Sequence, residues 1–125
     1  MPMELPAHIV TSYDEQLRKL RDMVARMGGL AERQVHDAAQ ALVRRDGGLA
    51  AEVVARDAAL DQLEREIEAF SIRILATRQP MASDLRFIVA AMKVSHDLER
   101  IGDYARNGAK RSIVVSQQPG LGSLN

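Results

Sequence analysis

The sequence predicts an all-α protein, an elongated antiparallel three-helix bundle, and three observations predict it. Apolar residues recur at alternating steps of three and four along three long stretches, the signature of amphipathic helices. Only Asp46-Gly47-Gly48 and Gln79-Pro80 interrupt them. The apolar share is 46%, yet two Phe, two Tyr and no Trp leave it mainly to Ala, Leu, Val, Ile and Met, a set suited to helices. Connections this short send each helix back along its predecessor. A chain of 125 residues has room for one core and not for two.

The first helix carries Ile9, Tyr13, Leu17, Leu20, Val24, Met27, Ala31, Val35, Ala38 and Leu42 as its apolar row. Ser12 followed by Glu15 reads as a capping box near its start, and Arg44-Arg45 suits the negative end of its dipole. The second helix, from about Leu49 to Thr77, carries Leu49, Val53, Leu60, Leu63, Ile67, Phe70 and Ile74. Pro80 lacks an amide donor and pushes Gln79 out of helical geometry, which ends it. A third helix then spans about Met81 to Val114, with Phe87, Ala91, Val94, Leu98, Ile101, Ala105 and Ala109 as its stripe. Gly102 and Gly108 cost helix stability and mark expected close approaches. The bundle is therefore expected over residues 9–115, with 116–125, rich in Gly, Ser and Pro, as a flexible tail.

Charge and composition exclude several functions. Seventeen basic residues balance seventeen acidic ones, so no global field draws nucleic acid or an anionic membrane. The chain has no cysteine, which removes disulfides, thiolate catalysis and cysteine-held metals. No apolar run reaches membrane-spanning length, and MPMELPAHIV lacks the regions of a signal peptide; a soluble cytoplasmic protein is expected. A glycine-rich phosphate loop and a nucleophile triad are both missing from the pattern. His8 and His36 have no partners at ligand spacing, and the methionines read as core or helix-end packing.

The acids are not scattered. On the third helix Leu85, Ile88 and Met92 begin a second apolar row that continues onto His96, Glu99 and Asp103, all within about 80° of one another on a helical wheel. On the second helix Asp57, Asp61, Glu64 and Glu68 form a strip beside the core stripe. With the hairpin turning near Pro80, residues at equal height have numbers that add to about 160. That places Asp57 level with Asp103, Asp61 with Glu99, and Glu64 with His96. If the strips face one another, their mutual repulsion calls for protons, arginines or a cation. Carboxylates suit magnesium, manganese, calcium or iron, and one imidazole adds affinity for iron or zinc. Alternatively Arg56, Arg65, Arg73, Arg100 and Arg106 neutralise the strips by surface pairing. Both readings stay open at this level.

The run RQPMASDLRFIVAAMKVSHDLERIGDYARNGAK, Arg78 to Lys110, with the upstream DAALDQLE from Asp57, resembles the PhoU family of phosphate-signalling proteins. That family is built from three-helix repeats and binds multinuclear metal clusters through acids placed four residues before an Asp. Carried over by position, the motif falls on Glu99 and Asp103 and on Asp57 and Asp61. Glu64 and His96 are added by the height argument alone. The resemblance implies an iron or zinc cluster, with manganese or magnesium as substitutes. It also implies a cytoplasmic regulator, not an enzyme, that links a phosphate transporter ATPase subunit to a sensor histidine kinase and restrains the phosphate-starvation response. Family members typically carry two tandem repeats and this chain one; a self-associating repeat, a natural short form and a truncated product all fit, and a dimer that covers the exposed apolar surface is the preferred expectation. The competing classes are a ferritin-like di-metal oxidoreductase or storage protein, which wants two Glu-x-x-His units in a four-helix core, and a metal-free helical interaction module.

Overall fold

Asp46 ends one helix and starts the next. Its amide donates to the Ala41 carbonyl at 2.9 Å, and its Oδ1 accepts from the Leu49 amide at 3.0 Å, satisfying a donor that the new helix leaves without a partner. Gln79 makes the other junction in left-handed geometry, φ 50, a common way to leave a helix. These junctions separate α1 (Glu4–Arg44), α2 (Gly47–Arg78) and α3 (Ala82–Ser116). The computed structural model describes the backbone over residues 4–117 and side chains over residues 12–117. Each helix packs on both of the others, giving the expected antiparallel three-helix bundle without strands among the described residues.

The start of α1 departs from the expectation. The helix runs from Glu4, so Ser12 and Glu15 lie inside it and form no cap. Ser12 Oγ instead accepts from Arg78 Nη2 at 3.0 Å, while Gln16 Oε1 accepts from Arg78 Nε at 2.8 Å. The end of α2 is thereby tied to α1. At the other boundary α3 continues through Ser116, and residues 118–125 of the expected tail lie outside the described residues.

The core follows a seven-residue repeat more closely than it follows hydrophobicity. In α1 the buried positions are Leu20, Met27, Gln34 and Ala41, with Ala31 beside them. The expected apolar row slips off this seam at Val35 and Leu42, which stand 45% and 57% exposed. Gln34 is held in the interior by one hydrogen bond, its Nε2 donating to the Val53 carbonyl at 2.7 Å, which offsets part of the penalty for burying an amide while its Oε1 is left without a partner. In α3 the buried series is Ile88, Ser95, Gly102 and Ala109, flanked by Ala91, Ala105 and Ser112. The core face therefore lies between the two expected rows, leaving Leu85, Val94 and Ile101 exposed. A helix seam that repeats every seven residues is the usual geometry of long, nearly antiparallel helices.

Small residues on that seam let α2 and α3 approach closely. A Cβ on Gly102 would stand 2.5 Å from Leu60 Cδ1 and 3.3 Å from Asp57 Oδ1. Leu60 is 1% exposed, so it has little room to give. Gly108 proves different: a Cβ there meets nothing within 4 Å, and the expected packing role does not hold. Gly102→Val is accordingly expected to cost about 2 kcal/mol or more through overpacking, whereas Gly108→Ala gains about 0.5–1 kcal/mol of helix propensity. Urea denaturation followed by circular dichroism checks both, and equal midpoints for the two variants would contradict this packing. No helix among the described residues is long and apolar enough to cross a membrane.

Candidate metal centre

The α2 side of the α2–α3 seam repeats through Ala50, Asp57, Glu64 and Ser71, so two of its four positions are acids. Asp57 is buried at 2% exposure, and Glu64 is half-buried. They are housed because the facing seam of α3 offers Gly102 and Ser95, which take little space. Around them Asp61, Glu99 and Asp103 are half-buried and His96 is exposed. The two acidic strips thus face the same side of the bundle.

Each expected height match is met by a contact or a shared cluster. His96 Nδ1 lies 3.1 Å from Glu64 Oε2. The Glu99 carboxyl hydrogen-bonds with Asp61 and with Asp103. Asp57 and Asp103 join Asp61 in a group whose ligand atoms lie within 4.8 Å of one another, and Glu64, His96 and Glu99 form a second such group. Glu99 bridges the two triads. At the Glu64 end a cleft of about 410 Å³ opens, bounded also by Glu68, Met92, Lys93 and Ser95.

The electrostatics record the crowding. Glu99 is pushed from 4.5 to about 7, first by burial, then by its hydrogen bonds to Asp103 and Asp61, then by the charges of Asp103 and Glu64. Asp57 is also raised, by burial first and by Asp61 next, while Arg106 pulls against both. As pH falls through about 7 Glu99 takes up a proton among these carboxylates, in a place where a cation would serve as well. Asp57 Oδ1 is buried with no hydrogen-bond partner, a costly state that a ligated ion would relieve. Five carboxylates and one imidazole form a hard, oxygen-rich donor set that fits a divalent metal.

Of the five arginines that could neutralise the strips, Arg106 does so. Its Nη1 reaches Asp57 Oδ2 at 3.0 Å and its Nη2 reaches Asp103 Oδ1 at 3.5 Å. Arg56 turns to Asp37 at 2.7 Å, Arg65 to Gln62, and Arg100 to Tyr104. Arg73 makes no ion pair with the strip among the described residues. Arginine pairing accounts for one end of the patch and leaves the Glu64, His96 and Glu99 end to itself.

Comparison with known proteins matches residues 24–112 to the PhoU domain, a span that contains both strips. The chain belongs to the PhoU family. It is 50% identical over 117 residues to the "Phosphate-specific transport system accessory protein PhoU homolog" of Caulobacter vibrioides, covering 94% of this chain and 51% of that one. Against the homologue of the same name from Rhizobium meliloti the identity is 47% over 110 residues, 88% of this chain and 46% of the other. The crystal structure of PhoU from Pseudomonas aeruginosa superposes with a TM-score of 0.82 at 46% identity, on 84% of this chain and 50% of that chain. The chain spans about half the length of the curated relatives it matches.

The sequence sets all six groups at matching heights and leaves their facing open, and it does not single out Arg106 from the other arginines. The sequence signal is limited to its place three residues after Asp103; the contacts to Asp57 and Asp103 come from the packing of α3 on α2. Glu68, named in the α2 strip, takes a place on the cleft wall and lies in neither triad.

Proposed function

We propose that this chain is a metal-binding regulatory adaptor that restrains phosphate uptake and the phosphate-starvation response. The observation that carries the metal reading is the convergence of Asp57, Asp61, Glu99 and Asp103 with Glu64 and His96 into two contiguous triads on one face. Bound ions would neutralise the repelling carboxylates and cross-link α2 to α3. Iron or zinc, with manganese or magnesium as substitutes, fits the donors. The reading as a regulator in place of an enzyme is supported by relatives named as transport accessory proteins. A ferritin-like oxidoreductase fits less well, because the acids line an open face between two helices and the group includes a single imidazole.

The partners proposed are the ATPase subunit of a phosphate transporter and a sensor histidine kinase, met on the cytoplasmic side of the inner membrane. Self-association as a dimer belongs to the same proposal. Val35, Leu42, Ile101 and Tyr104 leave an apolar groove of about 310 Å³ between α1 and α3, distinct from the acidic face, and exposed apolar surface of this kind marks an interaction site.

The test is co-purification of the metal-loaded and chelator-treated chain with those two partners, alongside sedimentation at micromolar concentration. Capture of both partners, stronger with metal, is expected. Capture of neither partner in either state refutes the adaptor reading, and a monomer throughout the concentration range removes the dimer from it.

A further inference from the structure

The two triads are built differently, and the difference is a guanidinium. At the Glu64, His96 and Glu99 end no arginine or lysine is paired with a carboxylate among the described residues; Lys93 borders the cleft without forming an ion pair there. At the Asp57, Asp61 and Asp103 end two of the three carboxylates are already engaged by Arg106, at 3.0 and 3.5 Å. The Asp57 side chain in that pair is 3% exposed, so this is a desolvated charge contact and not a surface pair.

The arginine fits its place imperfectly. Its Nε is buried with no hydrogen-bond partner, and so is Asp57 Oδ1 on the other side of the contact. An unmet donor and an unmet acceptor both weigh against the arrangement. The arginine side chain as a whole is 31% exposed, so water reaches part of it. The close approach of the seam rests on Gly102 against Leu60 and not on the arginine.

We propose that Arg106 is an internal competitor for metal at the Asp57, Asp61 and Asp103 triad, so that the strip loads in order. The first ion enters at Glu64, His96 and Glu99. The second enters only where its concentration suffices to expel the guanidinium. This rests on the metal reading given above and adds to it a difference between the sites that the ligand types alone do not supply. Displacing a charge-assisted pair of this sort weakens the second site on the order of ten- to a hundredfold. At low metal the α2–α3 pair is held at this end by arginine, and at high metal by an ion, which makes occupancy of the second triad a sensor of cation supply.

The test is Mn2+ binding to the full chain at fixed neutral pH, by equilibrium dialysis and by loss of the free-ion electron paramagnetic resonance signal. The wild-type chain is expected to bind one ion tightly and a second at least tenfold more weakly. In Arg106→Gln the second site tightens at least tenfold while the first changes by less than about twofold. Arg106→Lys has a compact ammonium that does not fork across two carboxylates, and it falls between them; it serves as the readout if circular dichroism shows that the glutamine variant does not fold. A second-site affinity that is unchanged or weakened in the folded variants overturns the competitor assignment. A wild-type chain that binds no Mn2+ refutes the underlying metal reading instead, and the two failures are thereby told apart.

Discussion

Asp61→Asn combined with Glu99→Gln is expected to reduce the divalent metal bound per chain to background while the bundle stays folded. These two acids occupy the middle of the strip: Glu99 hydrogen-bonds Asp61 and Asp103 and is also a member of the triad with Glu64 and His96. Each triad thus loses one of its three donors. The amides keep the shape and the hydrogen-bonding capacity of the acids, so the loss is one of charge. In the metal-free chain the same change removes like-charge repulsion from a half-buried face and raises stability by about 1 kcal/mol. The two effects have opposite signs, and that separates a metal centre from a merely acidic surface. Metal analysis of protein purified with and without the substitutions reads the first, and chemical denaturation under chelator reads the second. Equal metal content in both proteins would remove Asp61 and Glu99 from the ligand set.

The metal-free chain is expected to lose stability as pH rises from about 4.5 to about 7. Glu99 has an ordinary value of 4.5 and is held at about 7 in the fold. Between those limits the folded state keeps a proton that the unfolded chain has released. The contribution of that proton is fully present below 4.5, declines through about 7 and is absent above. Asp57, raised by burial and Asp61, acts in the same direction. Asp37 acts in the opposite one, because the Arg56 hydrogen bond lowers it from 3.8; its contribution is lost only as pH falls below that value. The balance puts the metal-free optimum near pH 4–5, with a decline of about 1–3 kcal/mol by pH 8, or about 5–10 °C in Tm. Saturating metal reverses the slope, since protons and cations compete for the same oxygens. Thermal scans from pH 4 to 8 under chelator check this, and Glu99→Gln should flatten the curve. A metal-free Tm whose pH dependence from 5 to 8 is the same in Glu99→Gln as in the wild type would show that Glu99 contributes no raised titration to the fold.

The fold was legible because its determinants are local. Periods of three and four in apolar residues define helices, and Asp46-Gly47-Gly48 and Gln79-Pro80 define where they stop. The facing of the two acidic strips was legible in height but not in rotation, since counting back from a hairpin gives distance along an axis and nothing about angle. Rotation was misjudged in two places for one reason. Hydrophobicity favoured Val35 over Gln34 and Leu42 over Ala41, and in α3 it favoured Val94 and Ile101 over Ser95 and Gly102. In each pair the bulkier apolar side chain remains outside and the small or hydrogen-bonded one is buried.

The sequence by itself determined three helices, their antiparallel order and the level at which five carboxylates and one imidazole meet, because spacing, capping and chain reversal depend on neighbours a few residues away. Tertiary structure decided which face of each helix is the core, and with it the burial of Asp57, the raised Glu99 and the capture of Asp57 and Asp103 by Arg106. Those properties depend on how closely α2 approaches α3. That distance is set by Gly102 against Leu60, a contact between residues far apart in the chain.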